Sequence, residues 1–346
     1  MERPHPPTLH KGTLTASWTR RLVTCAREAD LELDRILAEV GIDAQALEDP
    51  DSRVGYEQHA DMVARVARRL DDPGIGIQMG ASSSPADFGV VSLLAASCST
   101  LRDALQSIHR FNALANQASL MDYWVEPGRL FIQDGHLRDG RPMPPAVAEA
   151  TLAFYATMIR LTCAVERPLV ELWLTHERHR GWTSARLAHF DAKLRFGRPV
   201  NALVLPAGML DVPFLSSQPA CSVDLLALAR SLEGGFATVD DPPIRLLAQV
   251  RHDLLHGESK SLARTARALG TSGRTLQREL ENAGLTYRDV VDTARRELAP
   301  ALLSDRDVKV ETVARHLGYT DARSFRRACL RWFGRTPGRD RDLKHR

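Results

Sequence analysis

Residues 262–280 read LARTARALGTSGRTLQREL, and this stretch decides the fold of the C-terminal part of the chain. Its first apolar residues recur with the period of a helix, at Leu262, Ala263, Ala266 and Leu269. Gly270 is expected to end that helix, because glycine takes the left-handed cap conformation without steric cost. Thr271 or Ser272 then caps a second helix by accepting hydrogen bonds from its free N–H groups. A short helix, a glycine turn and a capped basic helix predict a helix-turn-helix unit.

The same pattern returns downstream. An apolar stripe is formed by Val310, Val313, Ala314 and Leu317. Gly318 ends this helix, and Asp321 is expected to cap the next one, which covers residues 322–334. The residues of that helix expected to pack inward are Phe325, Ala328, Cys329 and Trp332. The two predicted helix-turn-helix units therefore cover about residues 262–283 and 309–334.

A third helix is predicted between the two units, from about Thr286 to Leu303. At ~1.5 Å per residue it is roughly 27 Å long. That length suits two recognition helices that lie about one turn of DNA, ~34 Å, apart. Pro300 lies inside this linker helix and is expected to kink it, because proline removes a backbone hydrogen bond.

The outward-facing side chains of the two capped helices are the candidate DNA contacts. Arginine reads guanine through O6 and N7, and glutamine pairs with adenine, so base contacts are predicted for Arg274, Gln277, Arg278, Arg323, Arg326 and Arg327. Contacts to phosphates, which position without specifying sequence, are predicted for Thr271, Lys309 and Arg331. The same surface includes Ser272, Gly273 and Ala322. The alternative is that these charged side chains form a solvated helix face.

The charge is unevenly distributed along the 346 residues. Residues 258–346 hold 20 lysines and arginines against 12 aspartates and glutamates, whereas the preceding 257 residues hold 26 against 31. A basic C-terminal quarter on an acidic body is typical of a nucleic-acid-binding domain attached to a regulatory one.

Short motifs across about residues 244–343 resemble the DNA-binding domain of AraC/XylS-type transcription regulators. They are LG at 269–270, RTLQR at 274–278, RRELA at 295–299, LL at 302–303, VA at 313–314, LGY at 317–319, SFRRA at 324–328 and RWFGRTP at 331–337. The resemblance implies an all-α domain in which two helix-turn-helix subdomains, joined by a linker helix, read adjacent major-groove segments. Besides Pro300, the chain departs from the family at Cys329, usually Phe, and at Asp340, usually Tyr.

The first 232 residues are predicted to form a mixed α/β domain. Helices are expected at about 17–40, 56–70, 101–111, 146–163 and 223–232. Strands are expected at 121–126, 129–134, 169–175 and 202–205, and Pro127-Gly128 between the first two indicates a hairpin. The glycines of residues 74–80 are spaced GxGxxxG and follow no apolar strand, so a dinucleotide loop is rejected in favour of a turn into a short element.

This half resembles the arabinose-binding-like N-terminal domain of one AraC subgroup, which includes ornithine-utilisation-type and mycobacterial virulence-type regulators. The motifs, over roughly residues 20–230, are GID at 41–43, LEDPD at 47–51, GIQMG at 76–80, STLRDAL at 99–105 and LRFGRPV at 194–200. The resemblance implies a sensor that binds a small effector and often self-associates. It does not imply arabinose, because members respond to diverse ligands.

Aromatic residues on the predicted sensor elements are the candidates for lining an effector pocket. They are Phe88, Phe111, Trp124, Phe131, Phe154, Tyr155 and Trp173. The alternative is that these side chains belong to the hydrophobic core and do not contact an effector.

Other chemistry has little support in the sequence. His176 and His179, with Glu177 or Asp191 nearby, and the pair His252 and His256 lack a third metal ligand at a characteristic spacing, so no metal site is predicted. The five cysteines contain no CxxC pair, which favours reduced, buried thiols. No GxSxG, P-loop or HExxH motif is present, so no catalytic residue, enzyme activity or cofactor is predicted.

The predicted organisation has four parts. They are a disordered N-terminus (1–16), an effector-binding and dimerisation domain (17–232), a glycine- and proline-containing linker (233–243) and the DNA-binding domain (244–343). The first 18 residues contain no apolar core, so a signal peptide is not expected. There is also no run of roughly 18 apolar residues, so a cytoplasmic protein is expected.

The predicted function is that of a sequence-specific transcription regulator, an activator by family resemblance, controlled by a small effector. Its predicted partners are double-stranded promoter DNA, the effector, RNA polymerase and a second copy of the chain. One alternative is a ligand-independent DNA-binding regulator controlled by its abundance or by a protein partner. Another is an enzyme with a DNA-binding tail, which a pocket with paired titratable groups would favour.

Overall fold

The computed structural model describes residues 12–337 except 50, 137–142, 164, 199, 234–245, 247–248, 251–252, 255–260, 270, 283, 305–308 and 335. The chain divides into two compact units, and the main boundary between them falls after residue 238. The N-terminal unit is mixed α/β and the C-terminal unit is helical, so the predicted fold class is confirmed.

The described part of the N-terminal unit contains nine α-helices and seven strands. The helices are α1 (Ala16–Glu28), α2 (Asp34–Val40), α3 (Tyr56–Arg69), α4 (Ile75–Ala81), α5 (Gly89–Ser97), α6 (Leu101–Ala115), α7 (Pro145–Thr162), α8 (Ser184–Phe190) and α9 (Pro219–Glu233). The strands are β1 (Thr13–Thr15), β2 (Arg53–Gly55), β3 (Ser119–Glu126), β4 (Arg129–His136), β5 (Glu171–Trp173), β6 (Lys193–Arg195) and β7 (Asn201–Pro206). Two 3₁₀ turns cover Pro85–Phe88 and Ala207–Asp211.

The larger sheet has the strand order β3-β4-β7-β5-β6, and all neighbours are antiparallel except β5 and β6. The predicted hairpin is confirmed as β3 and β4, and Gly128 in its turn has a φ of 76°. That left-handed conformation is the reason for glycine at the third position of a type II turn.

The expected disorder up to residue 16 is wrong for its last four residues. Strand β1 pairs with β2, with Leu14 opposite Val54, and the Ala16 N–H donates to the Ser52 carbonyl at 2.9 Å. A three-residue strand is too short to give a periodic signal in the sequence, so the pairing was missed.

The single helix expected over residues 17–40 is two helices, α1 and α2. Asp30 between them has a φ of 56°, a left-handed conformation that a continuing helix cannot contain. The Leu31 N–H turns back to the Ala26 carbonyl at 3.0 Å. Ile36 and Leu37 of α2 are buried.

Helix α7 is the centre of the N-terminal unit. It packs on α4 on one side and on β4 and β7 on another. The approach of α4 is so close that a Cβ on Gly76 would lie 1.8 Å from the Ala146 carbonyl oxygen, and one on Gly80 would lie 2.1 Å from that of Ala150. These glycines therefore serve helix packing, in agreement with the rejection of a dinucleotide loop.

The described part of the C-terminal unit has five named helices and no strand. They are α10 (Leu262–Ala268), α11 (Gly273–Asn282), α12 (Tyr287–Ser304), α13 (Val310–His316) and α14 (Ala322–Phe333). Helix α12 is the predicted linker helix, and it continues past Pro300 to Ser304. Among the described residues, no helix of either unit has the length and apolar character needed to span a membrane.

Candidate DNA interface

The first helix-turn-helix unit consists of α10 and α11. Ser272, one of the two predicted caps, accepts a hydrogen bond from the Thr275 N–H at 3.1 Å and so satisfies a free donor in the first turn of α11. Leu276 and Leu280 on α11 are buried, as is Ala266 on α10. Gly270, the predicted end of α10, lies outside the described residues.

Three side chains of α11 predicted to read bases, Arg274, Gln277 and Arg278, are exposed. The Gln277 amide donates to Glu281 Oε1 at 3.1 Å, one turn further along the same helix. Ser272 is exposed, and Thr271 and Gly273 are half-buried at the start of the helix. The alternation of buried leucines and exposed polar residues leaves one face of α11 open to a ligand.

The second unit consists of α13 and α14, and Asp321 caps α14 as predicted. Its carboxylate accepts hydrogen bonds from the N–H and the hydroxyl of Ser324, both at 2.8 Å, and these bonds lower the pKa of Asp321. Gly318 and Gly334, which follow α13 and α14, both have a positive φ. The predicted inward residues Phe325, Ala328 and Cys329 are buried, whereas Trp332 is half-buried.

The predicted outer residues of this unit are also exposed. They are Lys309, Arg323, Arg326, Arg327 and Arg331, with Ala322 half-buried beside them. Arg326 lies 3.3 Å from Glu311 Oε1, and Arg327 donates to the Ser324 hydroxyl at 3.3 Å. Arg331 pairs with Asp292 of α12 at 2.6 Å, so its guanidinium is oriented by the linker helix.

Helix α12 contacts both helix-turn-helix units. At its first turn, the Tyr287 hydroxyl lies 3.0 Å from that of Thr265 on α10. Further along, Asp292 accepts a hydrogen bond from Trp332 Nε1 at 2.9 Å, and Arg295 donates to the carbonyls of Leu317 and Gly318. One helix therefore holds elements of both units.

The guanidinium of Arg295 lies over the Tyr319 ring at 4.5 Å, and burial raises the pKa of Tyr319 to about 12. Sequence reasoning assigned no role to either residue. The signal was present, because both stand in family motifs, RRELA and LGY.

The N-terminal unit contains a groove between α5, α6, α7 and the sheet. The space in it that no atom fills is about 520 Å³, a value that includes open solvent at its mouth. The lining residues are Ser92, Ala95, Ala96, Leu101, Ala104, Leu105, Ile108, Met121, Ile132, Phe154, Tyr155, Met158, Ile159, Thr162 and Phe214. Of the candidate aromatic residues, Phe154 and Tyr155 are in this lining.

The other candidate aromatics do not line this groove. Trp124 stacks on Phe131 with ring centroids 4.8 Å apart, and Trp173 meets Phe131 edge to face at 5.0 Å. All three lie on the opposite sheet face from Met121 and Ile132. Their place follows from the alternation of side chains along a strand.

Phe88 and Phe111 are core residues. Phe88 packs against Trp18 and Phe154, with ring centroids 4.1 and 4.3 Å away. Phe111 packs with Val91, Leu94, Leu114 and Ala229. Both are therefore part of the framework behind the groove.

A buried carboxyl group lies beside the groove. Asp134 is opposite Met121 in the β3–β4 pairing, and its Oδ1 has no hydrogen-bond partner among the described residues. Burial raises the pKa of Asp134 to about 7, although Thr151 and Ser119 oppose the shift. Burial, and then the Asp134 charge, raise the pKa of Tyr155 well above its ordinary value. Tyr155 is thus a polar member of the groove lining, and Asp134, opposite the lining residue Met121, is close enough for its charge to act on it.

Two histidines weighed as metal ligands are brought together. His176 and His179 both lie against Glu149 of α7, and neither Glu177 nor Asp191 supplies a carboxylate to them. Asp191 pairs with Arg167 instead, at 2.6 Å.

The other cysteine and histidine predictions have mixed outcomes. His252 and His256 lie outside the described residues. All five cysteines are free thiols, and four are buried as expected, whereas Cys221 is exposed.

Comparisons with known proteins agree with this architecture. The family model of the arabinose-binding domain of AraC transcription regulators matches residues 31–214, and a helix-turn-helix domain model matches residues 265–342. The ornithine utilization regulator of Pseudomonas aeruginosa is 27% identical, over 93% of this chain and 96% of that protein. The regulator VirS of Mycobacterium tuberculosis is 25% identical, over 80% of this chain and 81% of that protein.

Among solved structures, the transcriptional regulator CdpR of Pseudomonas aeruginosa is similar, with 23% identity, a TM-score of 0.47 and coverage of 94% of this chain and 98% of that one. The relatives are transcription regulators and not enzymes, and this chain is a DNA-binding transcription regulator. Because the N-terminal model alone covers more than half of the 346 residues, the chain belongs to the AraC family of regulators with an arabinose-binding-like N-terminal domain.

Proposed function

We propose that a small effector, bound in the groove of the N-terminal unit, controls how the C-terminal unit holds promoter DNA and thereby activates transcription. The observation that carries this proposal is the groove itself. It is apolar along most of its length and has a few polar groups, Ser92, Thr162, Tyr155 and the adjoining Asp134. Ligand sites commonly combine an apolar lining with a few polar groups that fix orientation.

The groove favours one chemical class of effector. A mostly hydrocarbon or aromatic body would fill the lining, and a hydrogen-bond donor or a cationic group would satisfy the Asp134 carboxyl. A ligand with two strongly charged ends would leave one end unpaired against apolar residues, which costs binding free energy. We therefore propose a small hydrophobic molecule with one polar end.

The DNA contacts are proposed for the exposed faces of α11 and α14. Arg274, Gln277 and Arg278 would read one major-groove segment, and Arg323, Arg326 and Arg327 the next. Phosphate contacts are assigned to Thr271, Lys309 and Arg331. Support comes from their exposure and from the contacts of α12 with both units, which limit how far the two recognition helices move independently.

Effector control requires that the ligand bind the DNA-competent state more tightly than the other state, because equal affinities shift nothing. Self-association of the N-terminal unit and contact with RNA polymerase are proposed from the family alone. The domain limits are proposed from the sequence, with 17–232 as the sensor and 244–343 as the DNA-binding domain on either side of the glycine- and proline-containing linker.

The test is a thermal-shift screen of the full chain against amino acids, amines, fatty acids and aromatic acids. A ligand at 100 times its Kd stabilises the folded protein by about 2.7 kcal/mol. Ser92→Trp, which fills the groove, should abolish that stabilisation, whereas Leu93→Trp, at the neighbouring exposed position, should preserve it. The ligand should also change the affinity for the promoter.

The same experiment also tests the alternative, a regulator that needs no small-molecule ligand. If no compound stabilises the wild-type protein while promoter binding is intact, the protein is a ligand-independent regulator controlled by abundance or by a protein partner. If a compound stabilises both tryptophan variants equally, its site is outside the groove and the proposed location is wrong.

A further inference from the structure

A cluster of one carboxylate and two imidazoles lies at the N-terminal half of α7, away from the effector groove. Glu149 is fully buried on α7, and His176 and His179 lie in the segment between β5 and α8. Glu149 Oε1 is 2.7 Å from His179 Nε2 and 3.3 Å from His176 Nε2. The three potential ligand atoms all lie within 4.8 Å of one another.

The ring of His176 is oriented as metal-bound histidines usually are. Its Nδ1 lies 2.7 Å from the Glu177 carbonyl oxygen, so Nδ1 donates that hydrogen bond, and in the neutral ring the lone pair is then on Nε2. Metal-ligating histidines commonly donate their other N–H to a carbonyl or a carboxylate in this way. The Nε2 atom itself is buried and has no hydrogen-bond partner among the described residues.

Glu149 presents a second unsatisfied acceptor. Its Oε2 is buried and also lacks a hydrogen-bond partner among the described residues. The guanidinium of Arg186, which donates to the Gly181 carbonyl at 2.9 Å, is paired with Asp72, 2.5 Å away. A buried lone pair without a hydrogen-bond partner costs free energy, and a cation bound to the cluster would offset that cost at both residues.

We propose that Glu149, His176 and His179 bind a divalent transition-metal ion. Two imidazoles and a carboxylate form a donor set that suits Zn²⁺ and its first-row neighbours, and three protein ligands leave a coordination position open. Ligand atoms of a tetrahedral zinc site are roughly 3.3 Å apart, given bonds of about 2.0–2.1 Å. The 3.3 Å distance from Glu149 Oε1 to His176 Nε2 already matches that of a bound site, whereas the 2.7 Å hydrogen bond from His179 Nε2 would have to lengthen by about 0.6 Å.

His179 must change its tautomer to complete the site. Its Nδ1 accepts a hydrogen bond from the Gly181 N–H at 3.1 Å, so its Nε2 now carries the proton and donates to Glu149. Metal binding moves that proton from Nε2 to Nδ1 and breaks the bond from Gly181, with no net change in protonation. The rearrangement is local to residues 179–181.

The surroundings hold the ligands in place. A Cβ on Gly181 would lie 2.4 Å from the Gly74 nitrogen, so the histidine segment packs closely against the residue that precedes α4. The ring planes of His176 and His179 are nearly parallel, with an angle of 17° between them. The supported segment keeps both rings beside Glu149, so the change that binding requires is confined to the tautomer and hydrogen bonds of His179.

The experiment measures metal binding directly on the full chain in a Cys221→Ser background, which removes the exposed thiol as a competing ligand. The chelator-treated protein is titrated with Zn²⁺ by calorimetry and with Co²⁺ by visible absorption. One ion per chain is expected, with a Co²⁺ spectrum of nitrogen and oxygen ligands. Glu149→Gln and His176→Gln should each weaken Zn²⁺ binding by more than the roughly 10–100-fold cost of losing an outer-shell partner.

His109→Gln is the matched control, because His109 lies on α6 outside the cluster. This variant should bind Zn²⁺ with the same affinity as the parent protein. The proposal is overturned if the folded parent protein binds none of these ions stoichiometrically: Zn²⁺, Co²⁺, Ni²⁺, Mn²⁺ and Fe²⁺. So does binding that both cluster variants retain. If Glu149→Gln does not fold, His176→Gln and the titration of the parent protein decide the result. A metal-free cluster would then be explained by a proton shared between His176 and Glu149.

Discussion

Arg295, in the middle of the linker helix, donates from Nε to the main-chain carbonyl of Leu317, 2.8 Å away. Its Nη2 donates to the next carbonyl, of Gly318, at 2.9 Å. These oxygens stand at the C-terminal end of α13, where helix carbonyls lack partners within the helix and where a positive charge is favourable. A single side chain thus fixes the turn of the second helix-turn-helix unit to α12.

Replacing Arg295 by alanine should therefore destabilise the second unit. We expect a loss of about 1–3 kcal/mol in the free energy of unfolding, because two carbonyls and the face of Tyr319 lose a charged partner. Arg295→Lys should recover only part of the loss, because an ammonium lacks the planar fork that reaches both oxygens. Urea unfolding followed by circular dichroism measures both variants.

Arg288→Ala is the control, because Arg288 is an exposed residue of the same helix. Equal stabilities of the Arg295 and Arg288 variants would show that the linker helix does not hold the second unit through this contact.

The base-reading and phosphate-binding assignments predict different kinds of loss. Arg274→Ala should cost about 1–3 kcal/mol in promoter affinity and relax the preference at one base pair. Lys309→Ala should weaken binding to all sequences similarly and reduce the salt dependence by about one counterion. Binding to a set of single-base operator variants at several salt concentrations measures both effects. If Arg274→Ala weakened binding to all operator variants equally, Arg274 would be assigned to a phosphate contact instead of a base contact.

The sequence predicted the C-terminal unit well because its determinants are local. A cap such as Ser272 or Asp321 acts on a backbone N–H three residues away, and the apolar period identifies the buried face of each helix. The same reasoning could not place the groove. Periodicity shows that Phe131 and Ile132 face opposite sides of the sheet, but it does not show which side has a groove.

The candidate metal site was missed for a related reason. Glu149 lies in a long apolar helix, 27 residues before His176, and no local spacing connects the two. Only the packing of the segment after β5 against α7 brings them together. The sequence identified His176 and His179 as possible ligands, but their third ligand, Glu149, is brought to them only by the tertiary structure.

The packing of α4 on α7 gives a prediction about stability. Gly80→Ala should destabilise the N-terminal unit by about 1–3 kcal/mol or more, because the new methyl group meets the Ala150 carbonyl and the two helices must separate. Gly208→Ala is the matched control, since nothing lies within 4 Å of its added Cβ. Thermal unfolding of both variants is the measurement. A Gly80→Ala protein as stable as the Gly208→Ala protein would mean that α4 and α7 are less closely packed.

Asp134 should make the stability of the protein depend on pH. Its pKa is about 7 in the folded chain and about 3.9 in an unfolded one. The stability that the protonated carboxyl contributes is therefore fully present below about pH 4 and is lost as the pH rises to about 7. Asp134→Asn keeps the size of the side chain and removes this dependence. Relative to the variant, the wild-type protein should lose up to roughly 1.4 kcal/mol per pH unit across that interval.

Urea unfolding of the two proteins at pH values from 4.5 to 8 measures the difference between their free energies of unfolding. Other titrating groups, such as His59, whose pKa burial lowers to about 4, occur in both proteins and cancel in the difference. The difference should grow between pH 4.5 and 7 and then level off. Parallel profiles would mean that Asp134 is hydrated in solution, and the groove would then lack the buried polar group on which the proposed class of effector depends.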